Sequence, residues 1–231
     1  MAMGDIVLLH GACHNPTGVD PSPDLWRQVG DLIEERHLLP LVDLAYQGFG
    51  DGLREDAAGL IELVRPGAEL LVSTSFSKTF SLYAERVGAM LVIARSAADA
   101  EAAQSHVKAA VRVNYSNPPA HGADIVRTIL ADPALRTQWD DELAGMRARI
   151  KDNRRSLVGA LEARSIPGEW SGIASQRGMF ALLGLTVHQV ARLKDEHGVY
   201  VVGRGRINVA GLTPSNLDPF ADALGTVIAE G

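Results

Sequence analysis

The chain has 231 residues, 46% of them hydrophobic, and a formal net charge of −6. A chain of this size buries roughly 70% of its unfolded surface, enough for one large domain or one and a half small ones, while the acidic balance offers no basic field to hold a nucleic-acid backbone. The single cysteine, Cys13, excludes a disulfide framework, and no apolar run approaches the ~18 residues of a membrane-spanning helix.

Met1 to Leu9 carries Asp5 and no Lys or Arg, so it lacks the basic flank of a signal peptide, and a cytoplasmic protein is expected. Ile6 to Leu9 reads as a short buried strand running into the Gly- and Pro-containing stretch Gly11 to Gly18. Ser22-Pro23 marks a helix start, with Leu25, Val29, Leu32 and Ile33 on one face. Leu39 to Tyr46 is a second apolar run, Ala57 to Val64 a short helix stopped by Pro66, Leu70 to Ser75 a third strand and Val87 to Ala94 a fourth. This alternation points to βαβ units, a mostly parallel sheet and helices on both faces. Leu135, Trp139, Leu143, Met146, Ile150, Leu157 and Leu161 recur at helical spacing, which predicts one long helix near 133 to 164. Beyond it, Phe180 to Leu183, a Thr186-capped helix to about His197, the runs Val199 to Val202 and Arg206 to Val209, and a helix from about Pro214 suggest a smaller α+β unit. The expected domains are 1–145 and 146–231.

Ligands of open parallel sheets gather at the carboxyl ends of strands, and four features fall there: His14-Asn15-Pro16-Thr17-Gly18, Asp43-Leu44-Ala45-Tyr46, Ser75-Phe76-Ser77-Lys78 and Glu85-Arg86-Val87-Gly88. Taken singly, each has an ordinary structural explanation: a solvated lysine, a turn aspartate, a surface ion pair. In this order they supply an amine, a carboxylate, a phenol, hydroxyls and a guanidinium, the groups that hold pyridoxal phosphate.

HNPTG, DLAYQGF, STSFSKTF, ERVG, NYSNPPAHG, GMF and GRINVAGLTP together resemble the fold-type I aminotransferases, in particular the aspartate and aromatic-amino-acid branch, along essentially the whole chain. The resemblance implies the carboxyl-terminal part of a cofactor-binding large domain followed by a small α+β domain. It implies that Lys78 condenses with the cofactor aldehyde and later shuttles the substrate proton, and that Asp43 keeps the pyridine nitrogen protonated. Tyr46 and Asn15 match the groups that hydrogen-bond the phenolate oxygen. Arg86 and Ser75 match phosphate ligands, and Ser77 is a supporting contact or a small packed residue. Arg206 matches the arginine that grips the substrate α-carboxylate, and Asn15 is a further expected substrate contact. Arg112 resembles the arginine that reaches a neighbouring subunit's site, which implies a homodimer. Transamination of aspartate, glutamate or aromatic amino acids with 2-oxo acids is the expected reaction. His14 and Cys13 are expected to be structural.

Members of that family are longer, and the match begins midway through their large domain. The resemblance therefore implies that the glycine-rich phosphate loop, the ring-stacking aromatic residue and a partner-donated tyrosine have no counterpart here, that cofactor binding is weakened, and that a sheet edge is open. Complementation by that portion is one expected remedy. Thr79, Ser81 and Ala84 stand where the branch usually carries Asn, Gly and Asn. An alternative expectation is a non-catalytic remnant that dimerises or binds a partner. A nucleotide-binding protein is disfavoured, because Gly203-Arg204-Gly205 lacks the spacing of either phosphate-loop signature.

Overall fold

A computed structural model describes residues 3–229. The chain divides into two compact units, one formed by 1–12, 21–48 and 52–143, the other by 13–20, 49–51 and 144–231.

The first unit is built on a four-stranded sheet in the order β1 (Ile6–His10), β2 (Leu39–Leu44), β3 (Leu70–Ser75), β4 (Gly88–Ile93). The first three strands are parallel, with His10 opposite Asp43 and Leu44 opposite Thr74. β4 runs antiparallel to β3 and sets Gly88 opposite Ser75. The sheet is thus mixed, and the expected parallel character holds for β1 to β3.

Helix α1 (Pro23–Arg36) starts where the sequence signals it. The Ser22 hydroxyl accepts the Leu25 N–H at 3.2 Å, proline occupies the first turn, and His37 closes the helix in a left-handed conformation at φ 50°. A 3-10 turn, Glu55–Ala57, leads into α2 (Ala58–Leu63). Trp26 of α1 and Leu63 of α2 pack on Val42, Leu44, Leu70 and Val72 of β2 and β3, with Val29, Ile33 and Leu60 against them. Gly59 of α2 lies so close to the Trp26 indole that a Cβ there would sit 2.3 Å from a ring carbon.

At the sheet's edges the picture changes. Ile6 and Leu8 of β1 are both 62% exposed, and β4 is exposed from Gly88 to Leu91. Helices α3 (Ala97–Asn114) and α4 (His121–Ala131) follow, and α3 buries none of its residues.

Helix α5 (Pro133–Ala163) is the long helix predicted from its apolar spacing and contributes to both units. In the second unit it is followed by α6 (Gly172–Ser175), β5 (Phe180–Leu182), α7 (Val187–His197), β6 (Arg206–Asn208) and α8 (Leu217–Ala229). β5 and β6 pair antiparallel, Phe180 opposite Asn208 and Leu182 opposite Arg206. Leu157 and Leu161 of α5, Ala181, Leu193, Val209, Leu224 and Val227 are fully buried in this unit. Helix α7 begins with a capping box in which Thr186 and Gln189 exchange backbone and side-chain hydrogen bonds.

The apolar run Val199 to Val202 does not form the expected strand. The Val199 N–H is spent on the Leu193 carbonyl in the cap that ends α7 at Gly198, and only Val202 forms a bridge, to Arg206.

Candidate active site

In the first unit, Asp43, Tyr46, Ser75, Ser77 and Lys78 lie at or just beyond the ends of β2 and β3, whereas Arg86 lies just ahead of β4 and Arg112 at the end of α3. Asp43 sits near the end of β2. Its backbone carbonyl accepts the Gly11 N–H at 2.8 Å and its Oδ1 accepts the Ala45 N–H at 3.0 Å, so both its main chain and its carboxylate are held. Tyr46 follows in the turn. Lys78, in the loop after β3, places Nζ 4.4 Å from the centre of the Tyr46 ring.

Partial burial pushes the Lys78 amine below the ordinary lysine pKa. The Asp43 carboxylate pulls it back up and the Arg86 guanidinium adds to the depression. Two of the predicted groups, Asp43 and Arg86, therefore act electrostatically on Lys78. The loop itself is stiffened: Phe76 and Phe80 meet edge to face at 5.5 Å, Phe80 stacks on Trp139 at 4.5 Å, and the Trp139 Nε1–H donates to the Thr79 carbonyl at 2.7 Å.

Ser75, the last residue of β3, accepts the Ser77 N–H on its hydroxyl at 3.2 Å, and Ser77 is buried. Arg86 adopts a left-handed backbone at φ 53°, is exposed, and donates through NH1 to the Tyr83 carbonyl at 2.9 Å. Arg112 stands in the exposed last turn of α3, where NH1 reaches the Ser116 hydroxyl at 3.3 Å.

In the second unit, Asn15 lies in a tight turn whose Asn15–Pro16 peptide is cis. The Asp20 carboxylate accepts the N–H groups of Cys13 at 2.7 Å and His14 at 2.8 Å. His14 Nδ1 lies 2.7 Å from the Thr17 hydroxyl, and Cys13 is buried. Arg206 of β6 donates through NH1 to Asn15 Oδ1 at 3.2 Å, and its guanidinium lies 5.1 Å from the centre of the Phe180 ring. Arg206 also borders a cavity of about 330 Å³ shared with Phe180, Tyr200 and Asn208.

The family model for aminotransferase class I and II matches residues 2–224. The chain belongs to that family. It is 49% identical over 225 residues to the aspartate aminotransferase of Escherichia coli K12, an alignment that takes in 97% of this chain and 57% of that one. It is 48% identical to the aromatic-amino-acid aminotransferase of Pseudomonas aeruginosa, over 98% of this chain and 57% of the relative. Among solved structures, the aromatic-amino-acid aminotransferase of Burkholderia pseudomallei, described as covalently bound to pyridoxal phosphate, superimposes with a TM-score of 0.95 at 48% identity, over 98% of this chain and 57% of that one. The chain thus spans a little over half the length of these relatives.

Within this class I and II aminotransferase chain, three contributors to the local geometry escape a reading of the sequence. Trp139 was visible only as a member of an apolar stripe. Asp20 follows the HNPTG stretch and could have been suspected as a turn-stabilising acid. Arg154 lies in the charged run Lys151 to Arg155, which reads as a solvated helix face, yet the side chain is fully buried. No helix is long and apolar enough to cross a membrane among the described residues.

Proposed function

We propose that this chain carries the lysine-bearing portion of a pyridoxal-phosphate-dependent aminotransferase of the aspartate and aromatic type. The observation that carries the reading is the half-buried Lys78 amine over Tyr46, with Asp43 and Arg86 in its field. The donor set fits the cofactor group by group. Within the first unit, Lys78 would offer an amine to an aldehyde, Asp43 a carboxylate to a pyridinium, Tyr46 a hydrogen bond to a phenolate, and Arg86, Ser75 and Ser77 charge and hydroxyls to a phosphate.

When bound, the cofactor supplies an electron sink for the bond to the substrate α-carbon. Lys78 would meet the cofactor aldehyde through its neutral amine, and burial raises the neutral fraction at a given pH. The same amine, when free, would accept the substrate α-proton as general base and deliver it as general acid to the cofactor carbon that had carried the aldehyde. Asp43, whose carboxylate the Ala45 N–H holds, would meet the protonated ring nitrogen. Arg206 binds the substrate α-carboxylate with its planar fork, a task that its contact with Asn15 prepares.

Aspartate, glutamate or an aromatic amino acid is the amino donor and a 2-oxo acid the acceptor, in line with the relatives' named activities. Arg112, exposed and lightly held, is suited to meet a second carboxylate on a neighbouring subunit's ligand. The arrangement is then a homodimer.

The test is reductive trapping. Incubation with pyridoxal phosphate followed by borohydride is expected to give a stable adduct on Lys78, located by peptide mass spectrometry. Absence of label on Lys78 at saturating cofactor overturns the reading for this chain. Turnover of glutamate with an aromatic 2-oxo acid then measures how much activity the chain retains.

A further inference from the structure

We propose that Arg154 is the positioning residue for Arg206: its buried guanidinium ties down the turn 176–180, and that turn fixes the orientation of the carboxylate-binding guanidinium. The proposal rests on the reading of Arg206 given above.

Arg154 projects from α5 and has no exposed surface. Among the described residues no carboxylate pairs with it. It donates instead through NH1 to the Ile173 carbonyl at 3.4 Å and Gln176 Oε1 at 3.2 Å, and through NH2 to the carbonyls of Arg177 at 3.2 Å, Gly178 at 2.7 Å and Phe180 at 2.7 Å. Its Nε is buried without a partner. Burial pulls its pKa down to about 10, which leaves it charged at neutral pH. A buried cation without an acid opposite is expensive to keep, and every acceptor it gains belongs to the short stretch 173–180.

That stretch touches Arg206 by two routes. The Phe180 carbonyl held by Arg154 fixes the start of β5, and the Phe180 ring lies 5.1 Å from the Arg206 guanidinium. The Arg177 N–H donates to the Gly18 carbonyl at 2.8 Å, and Gly18 is pressed so closely on the turn that a Cβ would lie 2.9 Å from the carbonyl oxygens of both Arg177 and Phe180. The turn carrying Asn15 is thereby docked on the same backbone, and Asn15 Oδ1 accepts from Arg206 NH1. The Arg206 fork is therefore aimed by a ring and an amide whose supports converge on Arg154. A bidentate grip on a carboxylate depends on that aim. Lysine in place of Arg154 keeps the charge but cannot span the acceptors, since its three donors radiate from one atom.

Two readouts separate this role from simple stabilisation. In the chain labelled with nitrogen-15, NMR of the arginine guanidinium groups is expected to show hindered rotation of Arg206 in the wild type and free rotation in Arg154→Lys and in Phe180→Leu. In the chain loaded with pyridoxal phosphate, calorimetric titration with phenylpyruvate is expected to show affinity about tenfold weaker in Arg154→Lys, while borohydride labelling of Lys78 stays at the wild-type level. Phe180→Leu, which leaves the acceptor carbonyls in place, is expected to weaken phenylpyruvate in the same direction. The double variant is expected to be no weaker than Arg154→Lys alone. Arg206 hindered to the wild-type degree in a folded Arg154→Lys chain overturns the proposal. If that variant does not fold, unchanged Arg206 rotation in Phe180→Leu does so. Arg206→Lys separates the two levels. Wild-type phenylpyruvate affinity in Arg206→Lys removes Arg206 as the carboxylate anchor and both readings with it; weakening there but not in Arg154→Lys removes only the positioning role.

Discussion

The Trp139 indole N–H donates to the carbonyl of Thr79, the residue after Lys78, at 2.7 Å. A helix that begins more than fifty positions downstream thus pins the backbone of the lysine loop, and the stacking of Trp139 on Phe80 fixes the same loop from its side chain. Trp139→Phe keeps a ring for the stack and strands the buried Thr79 carbonyl. The expected loss is about 1–3 kcal/mol, the usual cost of an unsatisfied buried acceptor. Urea unfolding reads it, and an unchanged midpoint contradicts the pinning role. Amide exchange at Phe80 and Ser81, whose N–H groups close the turn onto Phe76 and Lys78, is expected to accelerate.

The Lys78 amine can be tuned in both directions. Asp43 raises its pKa and Arg86 lowers it, against a larger depression from burial. Asp43→Asn therefore moves the amine further down and increases the neutral fraction at any pH below the pKa. Arg86→Gln moves it up and decreases that fraction. Competitive acylation of the cofactor-free chain over a pH series, read by mass spectrometry of the Lys78 peptide, reports both shifts. A shift of the same sign in the two variants refutes the assignment of the field around Lys78.

Ser81 occupies a left-handed conformation at φ 56°, in the loop that carries Lys78. That backbone region favours glycine, because a Cβ there costs about 1 kcal/mol that glycine does not incur. Ser81→Gly is expected to stabilise the chain by about that amount. Thermal unfolding with a lower midpoint in the variant would count against the argument.

Gly59 presents the opposite case. Its missing side chain is where the Trp26 indole packs, and a Cβ would approach a ring carbon to 2.3 Å. Trp26 is 4% exposed and belongs to the core against β2 and β3, so it has little room to retreat. Gly59→Ala is expected to cost about 1–3 kcal/mol through overpacking, despite alanine's better helix propensity. Equal stability by denaturant titration would show that α1 can yield.

Much of this architecture was legible because local chemistry and packing agree. Ser22-Pro23 and Thr186 announce helix starts that the structure forms, and the apolar runs at Leu39, Leu70 and Val87 become β2, β3 and β4. Elsewhere the decisive contact is not local. Helix α3 is alanine-rich and buries nothing, so no apolar stripe marks it. Asn15 and Arg206 meet across 191 positions of sequence. Cys13 to Asp20, which lies just beyond β1, belongs with 49–51 to a unit built mainly from 144 onward. Arg154 was invisible for a related reason, since its neighbours Lys151, Asp152 and Arg155 are the charges that a solvated face would show.

The pairing of Ser75 with Gly88 means that the excursion holding Lys78 and Arg86 leaves and rejoins the sheet at a single rung. Its two ends are clasped, so the separation of amine and guanidinium is set by ladder registry as much as by the excursion itself. A slip of one position along that ladder would turn Ser75 to the opposite side of the pleat. Registry here serves as a ruler for charge spacing, and the antiparallel sense of the edge strand is what closes the clasp.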